Sequence, residues 1–305
     1  MAAVPPTRLH RERLKRQLRI WRFGALFAAA AALAAVLYSV AGPVARGGDH
    51  VARVHVEGFI RDDRALRRRL EEIAADDRAR ALLVAIDSSG GSAAAAEALY
   101  TALRKVGTAK PVVALMGGKA ASGAYLVAVG ADRIFARNAT LTGSIGVILQ
   151  APQVAGLLET LGVGVEVVRS GPLKTVPNPV ERLTPAGRAA AQALVEEIFS
   201  MFVDMVAERR PLSRGEVLAL ADGRVFTGRS AVGNGLVDAI GGEAAARDWL
   251  AGTHGVERRL ATVDRDPERD SGWLERIAGR LFGQSTVTEG LLLDGLVAVW
   301  HPAFR

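Results

Sequence analysis

Ser122 and two lysines, Lys119 and Lys174, are the residues of this chain whose types and settings suit nucleophilic chemistry. Ser122 follows Met116-Gly117-Gly118-Lys119-Ala120-Ala121 and precedes Gly123, Ala124 and the apolar run Tyr125 to Val129. A strand end, a glycine turn, small residues and then an apolar run predict a strand–turn–helix in which Ser122 opens the helix. At that point backbone N–H groups lack partners and the helix dipole favours a developing negative charge. The competing reading makes the Ser122 hydroxyl an ordinary N-cap, a role serine commonly takes.

A serine nucleophile needs a base, an orienting group and oxyanion donors. Of the five histidines, His10 lies in a basic N-terminal stretch, His50 in a linker, His55 inside a strand pattern, and His254 and His301 in the tail. None falls on a loop at the carboxyl edge of the predicted sheet, so a Ser-His-Asp triad has little support. Only five of the 39 basic residues are lysines: Lys15, Lys105, Lys110, Lys119 and Lys174. Arginine holds its proton, whereas a desolvated lysine releases it. Lys105 and Lys110 flank a helix end. Lys119 stands three residues before Ser122, and Lys174 sits among Pro172, Leu173, Val176 and Pro177. That apolar setting helps keep an amine neutral and puts Lys174 ahead, with Lys119 the open alternative. The chain has no cysteine, no HExxH, no clustered His/Asp/Glu spacing and no phosphate-loop or GxGxxG signature, so neither a metal nor a cofactor is expected.

The elements that must position these residues read as α/β. Val51 to Ile60 alternates as a strand does, and Asp62 to Ala75 is a charged amphipathic helix pattern. Ala81 to Gly91 is an apolar strand ending in Asp87-Ser88-Ser89-Gly90-Gly91, followed by a helix over Ala93 to Val106 and the strand Pro111 to Met116. Apolar strands alternating with helices imply a mostly parallel sheet covered on both faces. Ligands of such sheets bind at the carboxyl ends of the strands, where both glycine-rich turns fall. Further on come a strand at Arg133 to Ala136, a turn segment at 143–146, a helix near Pro152 to Leu161 and a strand from Val163. A Gly/Pro-punctuated loop, Ser170 to Thr184, carries Lys174. Thr184 then caps a long helix with Pro185 in its first turn, running to about Arg210.

The net charge of +7 is concentrated at the N-terminus, where Arg8, Arg11, Arg13, Lys15, Arg16, Arg19 and Arg22 face only Glu12. These residues precede an uncharged, apolar run from Phe23 to Ala45, long enough to cross a bilayer, which needs roughly 20 residues. Membrane lipid therefore suits the charge better than nucleic acid, and 5% aromatic residues offer little for base stacking. The domains expected are a basic cytoplasmic segment (1–22), a transmembrane anchor (23–45), a catalytic domain (46–252) and a C-terminal extension (253–305) of unassigned role. A cleaved signal peptide, ending near Ser39-Val40-Ala41, is the alternative to a retained anchor.

The blocks DSSGG, KPVVALMGGKAASGAYLVAVGADRIFA, TGSIGV, SGPLKTVPNP and GRVFTGRSAVGNGLVDAIGG, in this order over roughly residues 51–250, closely resemble the signal peptide peptidase A (protease IV) family of bacterial membrane-bound serine peptidases. The resemblance implies a Clp-protease/crotonase-like α/β spiral of strand–strand–helix units behind an N-terminal transmembrane helix. It implies a Ser-Lys dyad of Ser122 and Lys174, with Ser144 orienting the lysine amine. The oxyanion hole would use the N–H groups of Gly91 (or Gly90) and Ser122. It also implies a homo-oligomer on the outer face of the inner membrane, a dyad completed across subunit contacts in single-domain members, and peptide substrates such as signal-peptide remnants. Ser122-Gly123-Ala124-Tyr125-Leu126 departs from the family's SGGYY, and Ser89 replaces a usual proline. A crotonase-like acyl-CoA enzyme and an inactive scaffold on a peptidase fold are the alternative functions.

Overall fold

The computed structural model describes residues 21–23, 48–267 and 296–299. Contacts divide the chain into two units, Met1–Gly48 and Asp49–Arg305. In the first unit residues 21–23 are helical, and most of the expected anchor lies outside the described residues. Among the described residues no helix is long and apolar enough to cross a membrane.

The second unit opens with β1 (His50–Ile60), α1 (Arg64–Ala75), β2 (Ala79–Ser92), α2 (Ala93–Gly107), β3 (Val112–Ala121), α3 (Gly123–Val129) and β4 (Arg133–Ala136). Then come β5 (Leu141–Gly143), β6 (Ile148–Leu149), α4 (Ala155–Thr160), α5 (Pro185–Arg209), α6 (Arg214–Leu220), β7 (Val225–Thr227), α7 (Gly228–Gly233), β8 (Ala239–Ile240), α8 (Glu243–His254), β9 (Ala261–Asp264) and β10 (Leu296–Val299). All ten described strands join one sheet. β1, β2, β3 and β4 run parallel to one another at its centre, with β9 beyond β1 and β8 beyond β4.

The central strands are apolar on both faces because both are covered. On one face Leu82, Val84, Ile86, Ala114 and Met116 meet α1, α2 and α3; on the other Leu83, Val113 and Phe135 meet α8 through Ala246 and Leu250. Each fully buried Val, Leu or Ile contributes about 1.5–3 kcal/mol against exposure, so this double cover dominates stability. Every residue of α3 is buried, and the Tyr125 hydroxyl, raised above its usual pKa by desolvation, donates to Leu236 O at 2.9 Å. Thr184 caps α5 as the sequence predicts, accepting from Gly187 N.

Two expectations change. The alternating stretch from Val163 is not a strand, because no neighbour in the described chain offers it a ladder; it has no regular secondary structure and is largely exposed. The segment after residue 252 is not wholly an appendage. α8 continues to His254, β9 pairs with β1 over His50↔Ala261 to Arg53↔Asp264, and β10 adds a further strand. The segment Gly272 to Phe282, an amphipathic pattern in the sequence, lies outside the described residues.

Candidate active site

β2 and β3 run side by side until Ser88↔Ala120, with a register shift after Ile86↔Met116 that sets three residues of β3, Gly117, Gly118 and Lys119, against Asp87 alone. β3 then pairs with β5 over Lys119↔Leu141, Ala120↔Thr142 and Ala121↔Gly143. One residue past that last pair stand Ser122 and Ser144. Both have positive φ, 56° and 49°, a conformation uncommon in non-glycine residues. Both are buried, Ser122 at 1% exposure and Ser144 at 7%. The Ser122 N–H donates to Gly143 O at 2.8 Å, and the Ser144 N–H donates to Arg224 O at 2.8 Å. Buried Thr142 fixes this junction by donating from its hydroxyl to Ala120 O at 2.7 Å. Gly143 itself has φ 79°, and a Cβ there would lie 2.6 Å from the Phe226 ring.

Ser122 does precede α3, but its side chain makes no capping bond. Among the described residues its hydroxyl has no hydrogen-bond partner. The N-cap reading therefore fails on geometry: with φ 56° and ψ −124° the residue turns the chain sharply instead of folding back on the helix N–H groups. The oxyanion expectation is also revised. The Ser122 N–H is committed to Gly143 O, whereas no acceptor for the Gly123 N–H is found among the described residues. The signal for Gly123 was its place in the first turn of a helix, where N–H groups have no intrahelical partner. At the other donor, the Gly90 N–H is taken by the Ser88 hydroxyl at 3.1 Å, and that hydroxyl donates to Gly58 O at 2.6 Å. This leaves Gly91 as the better candidate. Gly91 must be glycine, since a Cβ would fall 2.1 Å from Ile60 O.

The lysines divide cleanly. Lys105 pairs with Glu71, and Lys110 donates to Ile73 O and Asp76 O. Burial lowers the pKa of Lys110, far from Ser122 in the ladder. Neither Lys119, half-exposed within β3, nor Lys174, exposed on its loop, has a side-chain hydrogen bond or ion pair among the described residues. No bond joins either amine to Ser122 or Ser144. The Lys174 loop is nonetheless ordered from within: Arg169 forks onto Glu181, Asn178 donates to Glu181 Oε2 at 2.5 Å, and Asn178 Oδ1 accepts the N–H groups of Val180 and Glu181 at 3.0 Å. The Arg169 guanidinium, with Asn178 second, holds the Glu181 carboxyl below the usual range. The described histidines are engaged elsewhere, His55 with Asp266 at 2.6 Å and His254 edge-on against Trp249.

A serine on a sharp strand-to-helix turn, at the carboxyl ends of a parallel sheet, is the geometry of α/β enzymes with a serine nucleophile. The profile of peptidase family S49 matches residues 104–257, and that of Clp protease matches residues 50–151. A putative protease of Synechocystis is 37% identical over 222 residues, covering 72% of this chain and 80% of the relative. A putative signal peptide peptidase of Enterococcus faecium is 36% identical over 235 residues, 76% of this chain and 67% of the relative. Protease 4 of Salmonella typhi is 35% identical over 167 residues, 54% of this chain and 27% of that longer protein. Among solved structures, a membrane-bound stomatin-specific protease matches with a TM-score of 0.47 and 14% identity, covering 72% of this chain and 98% of that one. The chain belongs to peptidase family S49. It is a serine peptidase with a Clp-protease-like α/β fold.

Proposed function

We propose that this chain is a membrane-anchored endopeptidase in which Ser122 attacks a peptide carbonyl and the neutral amine of Lys174 takes its proton. The observation that carries the reading is the strained, buried turn at Ser122, whose hydroxyl serves neither as a cap nor as a structural hydrogen bond. Ser Oγ bonds to the carbonyl carbon, and the N–H groups of Gly91 and Gly123 hold the oxyanion. The C–N bond then breaks, and the proton passes from Lys Nζ to the leaving amine. Water hydrolyses the acyl ester by the same proton path in reverse. Ser144, turned beside Ser122, orients the amine.

Lys174 reaches Ser122 from a second copy of the chain. The loop that bears it is exposed and flanked by uncovered apolar side chains, among them Leu157, Leu161, Val163, Val165, Val168 and Leu173, with Val168 93% exposed. Contiguous exposed apolar surface marks an interaction site. Substrates are apolar peptides such as signal-peptide remnants, presented at the extracytoplasmic face of a bacterial inner membrane by the apolar run at 23–45.

A serine-directed fluorophosphonate, with the adduct mapped by mass spectrometry, tests the nucleophile; labelling elsewhere and not at Ser122 removes it. Assays of Lys174→Ala and Lys119→Ala on an apolar peptide test the base. Near wild-type cleavage by Lys174→Ala, with Lys119→Ala inactive, transfers the role to Lys119.

A further inference from the structure

Near its carboxyl end β2 is irregular on both edges, and one residue is common to the two irregularities. Against β1 the register slips between Glu57↔Asp87 and Phe59↔Gly90; against β3 it slips between Ile86↔Met116 and Ser88↔Ala120. Ser88 falls inside the first slip and closes the second. Where a ladder slips, backbone groups lose their regular partners and must find others. Here one hydroxyl serves two of them. Ser88 is fully buried, its Oγ donates to Gly58 O at 2.6 Å, and it accepts the Gly90 N–H at 3.1 Å. Gly90 O lies 3.4 Å from the same oxygen, too long to draw its single proton away from Gly58. Gly58 and Gly90 both have positive φ, 67° and 106°, so both bonded groups belong to turns. Of the side chains in Asp87-Ser88-Ser89, only that of Ser88 is hydrogen-bonded among the described residues.

We propose that Ser88 is the positioning residue of the oxyanion turn, its hydroxyl locking the Gly90–Gly91 peptide so that the Gly91 N–H faces the carbonyl attacked by Ser122. The proposal rests on the reading of Ser122 and Gly91 given above. A peptide between two glycines has no Cβ on either side to hold its plane. Turned over, it would present Gly90 O in place of the Gly91 N–H, and a carbonyl oxygen repels a developing oxyanion. Holding the Gly90 N–H fixes one end of that unit, and the bond to Gly58 O ties it to the packed end of β1. No hydrogen bond joins Ser88 to Ser122, so the hydroxyl acts through Gly91.

The test begins with Ser88→Ala. If the plane then stands correctly only a few per cent of the time, kcat falls about thirtyfold. KM for an apolar peptide should move by no more than about twofold, since the donor acts on the transition state. A peptide aldehyde, whose adduct on Ser122 places an oxygen in the hole, should bind about thirtyfold more weakly. An uncleaved peptide should bind Ser122→Ala chains equally with and without Ser88→Ala. Ser88→Thr keeps the hydroxyl and should restore kcat to within about threefold. Ser88→Cys, close in volume but weak in hydrogen bonding, should behave as alanine does and serves if the alanine chain does not fold. In a Gly91→Ala background Ser88→Ala should cost little more, because the group it positions is already displaced. Leu250→Ala, a core loss on the opposite sheet face, should leave aldehyde affinity unchanged. Unchanged kcat and aldehyde affinity in folded Ser88→Ala or Ser88→Cys overturns the proposal, and so does a change in KM alone. Fluorophosphonate labelling separates the two readings. Wild type and Ser88→Ala labelled at Ser122 at one rate would sink the positioning role alone; wild type unlabelled at Ser122 would remove the peptidase assignment and this role with it.

Discussion

Ser122 and Ser144 sit inside the sheet, one residue past the Ala121↔Gly143 pair, with their backbone N–H groups bonded to Gly143 O and Arg224 O. Lys174 sits on an exposed loop whose bonds run mostly within residues 169–184 and whose apolar side chains face outward. One region is held by the hydrophobic cover of β2 and β3 from both sides; the other is held by the Arg169–Glu181 fork and an asparagine. The contrast separates two tasks. A single chain suffices to strain and bury a hydroxyl, because the strand ends and α3 are packed. The amine is presented outward, and burying it takes further surface.

The largest effect should come from breaking the two regions separately and then mixing them. Ser122→Ala and Lys174→Ala each lower kcat by about a thousandfold or more, with melting temperature unchanged for Lys174→Ala. If the amine comes from a second copy, equal amounts of the two inactive proteins, co-assembled, regain about a quarter of wild-type activity, since random pairing makes that share of junctions intact. No recovery on mixing would return Lys174, or Lys119, to the same chain.

Next is the surface between the regions. Leu161→Asp together with Val168→Asp alters side chains that are 66% and 93% exposed, so folding stability should move by no more than about 0.5 kcal/mol. Sedimentation should nonetheless show a smaller particle, and activity should fall at least about tenfold if assembly completes the site. An unchanged particle with full activity would count against the second copy.

Gly91→Ala sharpens the comparison from the packed side. Its Cβ would meet Ile60 O at 2.1 Å, so β1 or β2 must shift, at a cost of about 1–3 kcal/mol. The shift moves the proposed oxyanion donor, and kcat should fall by about a hundredfold with KM little altered. A variant equally unstable from the opposite sheet face, Leu250→Ala, should leave kcat alone.

The packed region is also the one legible in the sequence. Ala81 to Gly91, Arg133 to Ala136 and the Thr184-Pro185 helix start are written in local patterns, and the structure has β2, β4 and α5 there. Strand-like alternation from Val163 to Val168 misled because alternation reports a pleated, half-buried surface and cannot say who supplies the partner strand. The same limit hid β9 and β10, four residues each, whose pairing is decided by distant strands. At Ser122 the residue type fits a cap as well as a nucleophile; φ 56° and ψ −124° turn the hydroxyl away from capping, and no neighbouring residue type encodes those angles. Gly123 went unnoticed as a donor because the commitment of the Ser122 N–H to Gly143 O depends on a pairing 21 residues away.

The smallest effect concerns how firmly the Lys174 loop is held. Glu181 has its pKa lowered by Arg169 first and Asn178 second, so the carboxylate form is favoured in the folded chain. A depressed carboxyl stabilises its surroundings fully above the unfolded value and loses that contribution as pH falls through the folded value. Below the ordinary carboxylate range the fork should loosen, and exchange of the Val180 and Glu181 amides, bonded to Asn178 Oδ1, should accelerate relative to the amides of β2. Glu181→Gln should show the faster exchange already at neutral pH and lose the acid dependence, with kcat reduced only a few-fold, about what an exposed ion pair supports. Because β2 is held by burial and not by this carboxylate, its amides should report the same protection in both proteins across that range. Parallel acceleration in β2 would mean that the loop and the sheet open together, and the two regions would then be one cooperative unit.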